Sequence, residues 1–119
     1  MNKNKYMSKE MYDKYYRNLL QKASKKRVEK EDEYFSTEDV LLNLRKIGSF
    51  RDQTTPVAIM NLGTKSLQSI SDMVNFEFEK DIELLPDEQS TLAQWDEKFI
   101  DAINYLFKLY ASIREFRGE

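Results

Sequence analysis

Apolar residues recur along most of this chain at intervals of three and four positions, the spacing that places them on one face of an α-helix. Ser8 is a capping residue, and the stripe after it predicts a first helix that ends near residues 34–35. A second, shorter helix is predicted to begin at Ser36 or Thr37 and to stop at Gly48, because Gly commonly terminates helices. The first stripe consists of Tyr12, Tyr15, Tyr16, Leu19, Leu20 and Ala23.

Two further stripes predict long helices in the second half of the chain. The Thr-Thr-Pro run at 54–56 is a strong helix start, because Thr caps well and Pro suits the first turn, and this helix should end near residues 78–79. A polar connection over residues 80–90 leads to a final helix capped by Ser90 or Thr91. The apolar positions of this last helix form one continuous face, made of Leu92, Trp95, Phe99, Ala102, Ile103, Leu106, Tyr110 and Ile113.

These elements predict an all-α fold, a bundle of about four helices in a single domain of residues 1–119, with residues 1–5 flexible. Charged residues make up 34% of the chain, which has only three Gly and two Pro. This composition is typical of long amphipathic helices and not of strands joined by many turns. Gly63 interrupts the third helix, where its small size would let another helix, or a ligand, come close.

The chain contains neither Cys nor His, which excludes disulfides, thiol chemistry and catalysis by imidazole. An enzyme of this composition would have to use carboxylates, Lys, Tyr or a metal ion that prefers oxygen ligands, such as Mg²⁺. No apolar run is long enough to span a membrane and no secretory leader is visible, so we expect no membrane contact and a cytoplasmic location.

Charge is distributed unevenly along the chain. Residues 1–30 contain ten Lys/Arg and three Asp/Glu, a net charge of +7, whereas residues 31–119 contain nine and eighteen, a net charge of −9. A basic segment can bind nucleic acid, or it can complement the acidic remainder of the same molecule or of a partner subunit. We favour the second interpretation, because no recognisable reading helix or aromatic platform accompanies the basic residues. The basic cluster consists of Lys22, Lys25, Lys26 and Arg27.

The last helix carries a second row of residues opposite its apolar stripe. At about 100° per residue, this row lies on the far side of the helix from Phe99. Such a row is either a solvent-exposed face or a site. Ile100, Tyr105 and Phe107 also lie outside the main stripe, which predicts a second neighbour for this helix, and another subunit could supply it. The polar row consists of Glu97, Asp101, Asn104 and Lys108.

Short motifs are spread between residues 14 and 113. They are Lys-Glu-Asp-Glu-Tyr at 30–34, a Ser-led helix with Asn43 and Lys46-Ile47, Thr55-Pro56, Lys65, and Asp-Ala-Ile-Asn-Tyr at 101–105. Together they resemble the phage-borne, MazG-like all-α nucleotide pyrophosphohydrolase relatives, especially the small nucleotide-modification-associated group. The resemblance implies a MazG-like helical homodimer or higher homo-oligomer. It also implies Mg²⁺ as cofactor and the cleavage of a nucleoside triphosphate to a monophosphate and pyrophosphate.

The same resemblance implies roles for individual side chains. Carboxylates would hold Mg²⁺ or act as the base for the attacking water, with Glu97 and Asp101 as the catalytic candidates; the metal ligands would be Glu33, Asp72, Glu97 and Asp101. Cationic side chains would contact phosphate oxygens, and a Tyr would stack on the base. The implied substrate-binding residues are Tyr34, Lys65, Asn104, Tyr105, Lys108 and Arg114.

Two departures from the family pattern leave the reaction open. MazG enzymes carry pairs of carboxylates three residues apart, a spacing that brings both to one metal ion. Here Lys98 stands three residues before Asp101, although Glu97 stands at four. On the third helix, Ser69 and Asp72 occupy the positions of a Glu pair. The alternative is a non-catalytic phage anti-defence protein that sequesters a signalling nucleotide or binds a host protein.

Overall fold

A computed structural model describes residues 6–34, 40–81 and 83–119, without the side chains of residues 31–34. Within these residues the chain is all-helical, with four helices and no strand, which confirms the predicted class. The predicted flexible segment at 1–5 and the predicted helix start at 36 or 37 lie outside the described residues. The helices are α1 (Lys9–Tyr34), α2 (Leu42–Phe50), α3 (Thr55–Phe78) and α4 (Leu92–Arg117), with a 3₁₀ turn at Pro86–Glu88 before α4.

Local signals in the sequence account for three of the described helix ends. The Ser8 hydroxyl accepts a hydrogen bond from the Met11 amide at 3.1 Å, which caps α1. At the start of α4, Thr91 and Gln94 form a reciprocal capping box. The helix ends at Gly118, which adopts the left-handed conformation with φ of 73°. The predicted starts and ends of α1 and α3 and the predicted start of α4 are confirmed to within two residues.

The prediction for Gly48 is wrong, because α2 continues through this residue to Phe50. Gly48 is buried, and the turn between α2 and α3 passes close above it. The Gln53 amide donates a hydrogen bond to the Gly48 carbonyl at 2.8 Å, and a Cβ at position 48 would lie 2.8 Å from the Gln53 carbonyl oxygen. The glycine is needed for this close approach and does not act as a stop signal.

Helix α4 lies between α1 and α3. It runs antiparallel to α3, since Gly63 contacts Tyr105 while Phe78 contacts Trp95 near the other end. It runs parallel to α1, where ion pairs join increasing positions of both helices. Helix α2 packs on α3 and reaches α4 through the ion pair between Arg45 and Glu115. Among the described helices, α1 packs only on α4. Because α1 does not contact α3, the three helices α1, α4 and α3 lie side by side in an open layer.

The dimensions agree with an open arrangement. The radius of gyration is 17.7 Å, whereas a compact domain of this length would have about 14 Å. Among the described residues the buried core is small, and half of its apolar members are alanines that let neighbouring helices approach closely. Gly63 acts in the same way, because its position lies against Tyr105 of α4, so the close neighbour predicted there is another helix. The buried apolar residues are Ala23, Leu41, Ala58, Ile59, Ile100 and Ala102.

Candidate functional site

Part of the polar row on α4 faces α1 of the same chain. The Asp101 carboxylate accepts a hydrogen bond from the Lys26 ammonium at 2.8 Å. The Asn104 amide donates to the Ala23 carbonyl at 3.2 Å. Five residues before Asp101, Asp96 pairs with Lys22 at 2.7 Å. We call this contact region between α1 and α4 the seam, and its polar groups hold the two helices together.

The prediction that α4 has a second neighbour is right, but the neighbours belong to the same chain. Ile100 is buried in the layer, and Phe107 lies under the Arg27 guanidinium at 5.6 Å. Tyr105 packs on the other side, against Gly63 of α3. Another subunit is therefore not needed to explain these apolar positions, because α1 and α3 contact opposite sides of α4.

Three of the predicted substrate-binding residues lie together on α4. The Lys108 ammonium stands 5.2 Å from the centre of the Tyr105 ring, and Asn104 is the residue before that Tyr. All three side chains are partly buried. This short segment presents an aromatic ring, a cation and an amide within one turn of helix.

The structure does not bring the other predicted substrate-binding residues to this segment. Lys65 is exposed, and helix geometry places it about 160° around α3 from Gly63, the residue that contacts Tyr105. Arg114 is engaged at the end of α4, where it donates to the Tyr110 hydroxyl at 3.0 Å and to the Glu119 carbonyl. The Tyr34 side chain lies outside the described residues.

The predicted metal ligands are dispersed. Asp101 is paired with a Lys, and Glu97 is exposed on α4. Asp72 is exposed on α3 and accepts a hydrogen bond from Gln68 at 2.8 Å. The Glu33 side chain lies outside the described residues, and the described residues contain no group of three acidic side chains that could hold a metal ion. Mg²⁺ usually keeps several waters and is held by one or two carboxylates together with substrate phosphates, so Mg²⁺ as cofactor stays a prediction.

The ion pairs of the seam show what the basic segment of the chain contacts. Lys22 and Lys26 are two of the four residues of the basic cluster, and each is paired with an Asp of α4. A third, Arg27, lies over the Phe107 ring. The basic helix therefore complements acidic residues of its own chain, which is the interpretation that we favoured over nucleic-acid binding.

The predicted core face of α4 is largely uncovered. Only Ala102 of that stripe is buried, whereas Phe99 is 40% exposed and Leu106 is 51% exposed. The reason is that α1 and α3 flank α4 on its two sides, so no helix of the described chain lies over the stripe between them. The predicted stripe of α1 is also largely uncovered, since only Ala23 of that stripe is buried.

Exposed apolar residues of α3 extend this surface. Met60 and Leu67 line a shallow groove with Leu106, and Phe78 stacks at 5.8 Å from Trp95, which lies 6.3 Å from Phe99. Helix geometry places the exposed apolar residues that α3 contributes within about 60° of one another around its axis, and the same is true of those from α4. We call the surface the apolar face, and its exposed members are Met60, Leu67, Val74 and Phe78 of α3 with Leu92, Phe99, Leu106, Tyr110 and Ile113 of α4.

Sequence reasoning missed one polar residue that organises this region. The Glu77 carboxylate accepts hydrogen bonds from the Trp95 indole at 3.1 Å and from the Ser90 amide. This contact ties the end of α3 to the start of α4. The available signal was Trp95 itself, because a partly buried indole N–H usually requires an acceptor.

Comparison with known protein families, with curated proteins and with solved structures finds no match. Among the described residues, no helix combines the length and the apolar character of a membrane span. The MazG-like resemblance therefore stays a prediction from the sequence motifs.

Proposed function

We propose that this chain binds a nucleotide without hydrolysing it and works as a homo-oligomer. The observation that carries the lack of hydrolysis is the ion pair between Lys26 and Asp101, at 2.8 Å. Asp101 is the carboxylate that best matches the family motif. An ammonium at this distance satisfies its charge and disfavours a divalent cation at the same oxygen atoms. The dispersed positions of Asp72 and Glu97 support the same proposal.

The segment around Tyr105 supports a nucleotide as the ligand. An aromatic ring can stack on a nucleobase, and a Lys ammonium can contact a phosphate group. Tyr105 and Lys108 offer these two groups 5.2 Å apart. Tyr105 ends the motif at 101–105, and Lys108 lies three residues after it. Binding without turnover would suit a phage-borne protein that sequesters a signalling nucleotide in the host cytoplasm.

Titration calorimetry with a panel of nucleoside triphosphates, with and without Mg²⁺, tests binding, and a pyrophosphate assay on the same mixtures tests hydrolysis. We expect one of the nucleotides to bind and none to release pyrophosphate. Lys108→Gln should weaken binding about tenfold or more, since it removes a charged contact to phosphate. Lys80→Gln is the matched control, because Lys80 is an exposed Lys in the turn after α3. Pyrophosphate release that Asp101→Asn abolishes would instead establish catalysis.

A further inference from the structure

We propose that the apolar face is covered by the same face of a second copy of this chain, so that two α3–α4 pairs form a four-helix bundle. This inference rests on the homo-oligomer of the proposed function and assigns the surface through which it forms. It differs from the arrangement suggested by the sequence, in which the polar row of α4 lay at the subunit contact.

The first support is the charge distribution on α3. A surface helix of 24 residues would carry about six to eight charged residues, but α3 carries only Lys65, Asp72 and Glu77. Lys65 and Asp72 lie on the opposite side of α3 from Gly63, and Glu77 is bound to Trp95. Every position of α3 is described, so the apolar face of this helix holds no unpaired charge. A charge-free exposed face in a chain that is 34% charged is typical of a surface buried by association.

The second support is the amount of exposed surface. The nine members of the apolar face are each 40–76% exposed. Soluble monomers rarely expose contiguous apolar patches larger than a few hundred Å². A second copy of the chain would remove these side chains from water.

The third support is the shape of the face. Helices α3 and α4 are antiparallel, with lengths of 24 and 26 residues. At 1.5 Å per residue and about 10 Å between helix axes, the pair presents an area of about 36 by 20 Å. That area is close to one half of a standard interface, and a two-fold dimer brings the same patch of both copies together.

Sedimentation of the full chain tests the dimer, and glutamate substitutions test the face. We expect a mass of about twice 14.2 kDa at micromolar concentration. Leu67→Glu and Leu106→Glu should each weaken dimerisation at least about 100-fold, because each would bury an unpaired carboxylate. Asn61→Glu is the matched control, since Asn61 is exposed on the opposite side of α3, and it should leave the dimer intact. A monomeric wild-type chain, or folded face variants that remain dimeric, would overturn the inference.

A second measurement does not depend on the folding of the glutamate variants. The chain has no Cys, so a single introduced thiol reports on its own surroundings. We expect maleimide to label Leu106→Cys about tenfold more slowly in concentrated than in dilute protein, and to label Asp72→Cys equally fast in both. Equal labelling of both variants at both concentrations would contradict a covered face.

Nucleotide calorimetry on the same samples separates the two proposals. A wild-type monomer that still binds nucleotide would overturn the homo-oligomer and its assigned face but not the proposed ligand, whereas a dimer that the face variants leave intact would overturn only the face. A dimer that binds no nucleotide would overturn only the proposed ligand.

Discussion

Two sides of α4 carry opposite chemistry. On one side Asp101 and Asn104 meet α1, so polar groups that could have formed a site hold two helices of one chain together. On the other side Phe99 and Leu106, which the pattern assigned to a core, remain exposed. The comparison teaches that strong helical periodicity predicts an apolar face on a helix, but it does not show which element of the chain, if any, will cover that face.

The largest expected change in the free energy of unfolding comes from a substitution on the buried side of α3. Ile59 is 1% exposed, and Ile59→Ala should destabilise the chain by about 2–5 kcal/mol through the cavity that it leaves. Urea unfolding monitored by circular dichroism measures the change. The loss should be the same at every protein concentration, because the side chain is buried within one chain.

Leu106→Ala is the matched comparison on the apolar face. Its effect on the unfolding midpoint should be small in dilute protein and should grow with protein concentration, since the side chain would become buried only in a dimer. If the Leu106→Ala loss is independent of concentration and equals that of Ile59→Ala, the two sides of the helix pair do not differ as described.

The next effect concerns the two helix glycines that lie at contacts. Gly48→Ala should destabilise the chain by about 1–3 kcal/mol, because the new methyl group would meet the Gln53 carbonyl oxygen. Gly63→Ala is the control with the opposite sign. Its Cβ would lie at an ordinary 3.5 Å from the Tyr105 Cβ, so the better helix propensity of Ala should stabilise the chain by about 0.5–1 kcal/mol.

Thermal unfolding of both glycine variants at one protein concentration gives the comparison. Equal destabilisation by the two substitutions would show that α3 and α4 are packed too tightly at Gly63 to accept a methyl group. A silent Gly48→Ala would show that the turn above α2 can move away.

The smallest effect is expected at the seam. A double-mutant cycle with Lys26→Met and Asp101→Asn should give a coupling energy of about 0.2–1 kcal/mol, because the pair is still 32% and 40% exposed. Chemical unfolding of the four proteins provides the measurement. A coupling near zero would mean that Asn104 and the apolar contacts hold α1 to α4 without help from this pair.

Local signals made much of the fold predictable. Ser8, Thr91 and Gly118 act at helix ends, and each does so through interactions with atoms a few residues away. Such contacts are encoded in short stretches of sequence. Gly48 was assigned the wrong role. A glycine is needed there because the turn after α2 passes close to it, and the hydrophobic pattern of a helix does not predict how closely a following turn approaches.

The candidate site was less predictable for the same physical reason. The motif around Asp101 gave the residue types, but the partner of that carboxylate is Lys26, 75 positions earlier. No pattern in one sequence specifies which cation will lie beside which carboxylate when several of each are present. Only the parallel packing of α1 on α4 decided that pair.

The sequence by itself determined the helical class, most helix ends and the presence of one apolar face on each long helix, because these depend on local propensity and on a fixed helical period. Only the tertiary structure decided that α1 and α3 flank α4, that its polar side meets α1 and that its apolar side stays open. Those outcomes depend on how long helices are placed across the chain, and the period of a single helix holds no information about its neighbours.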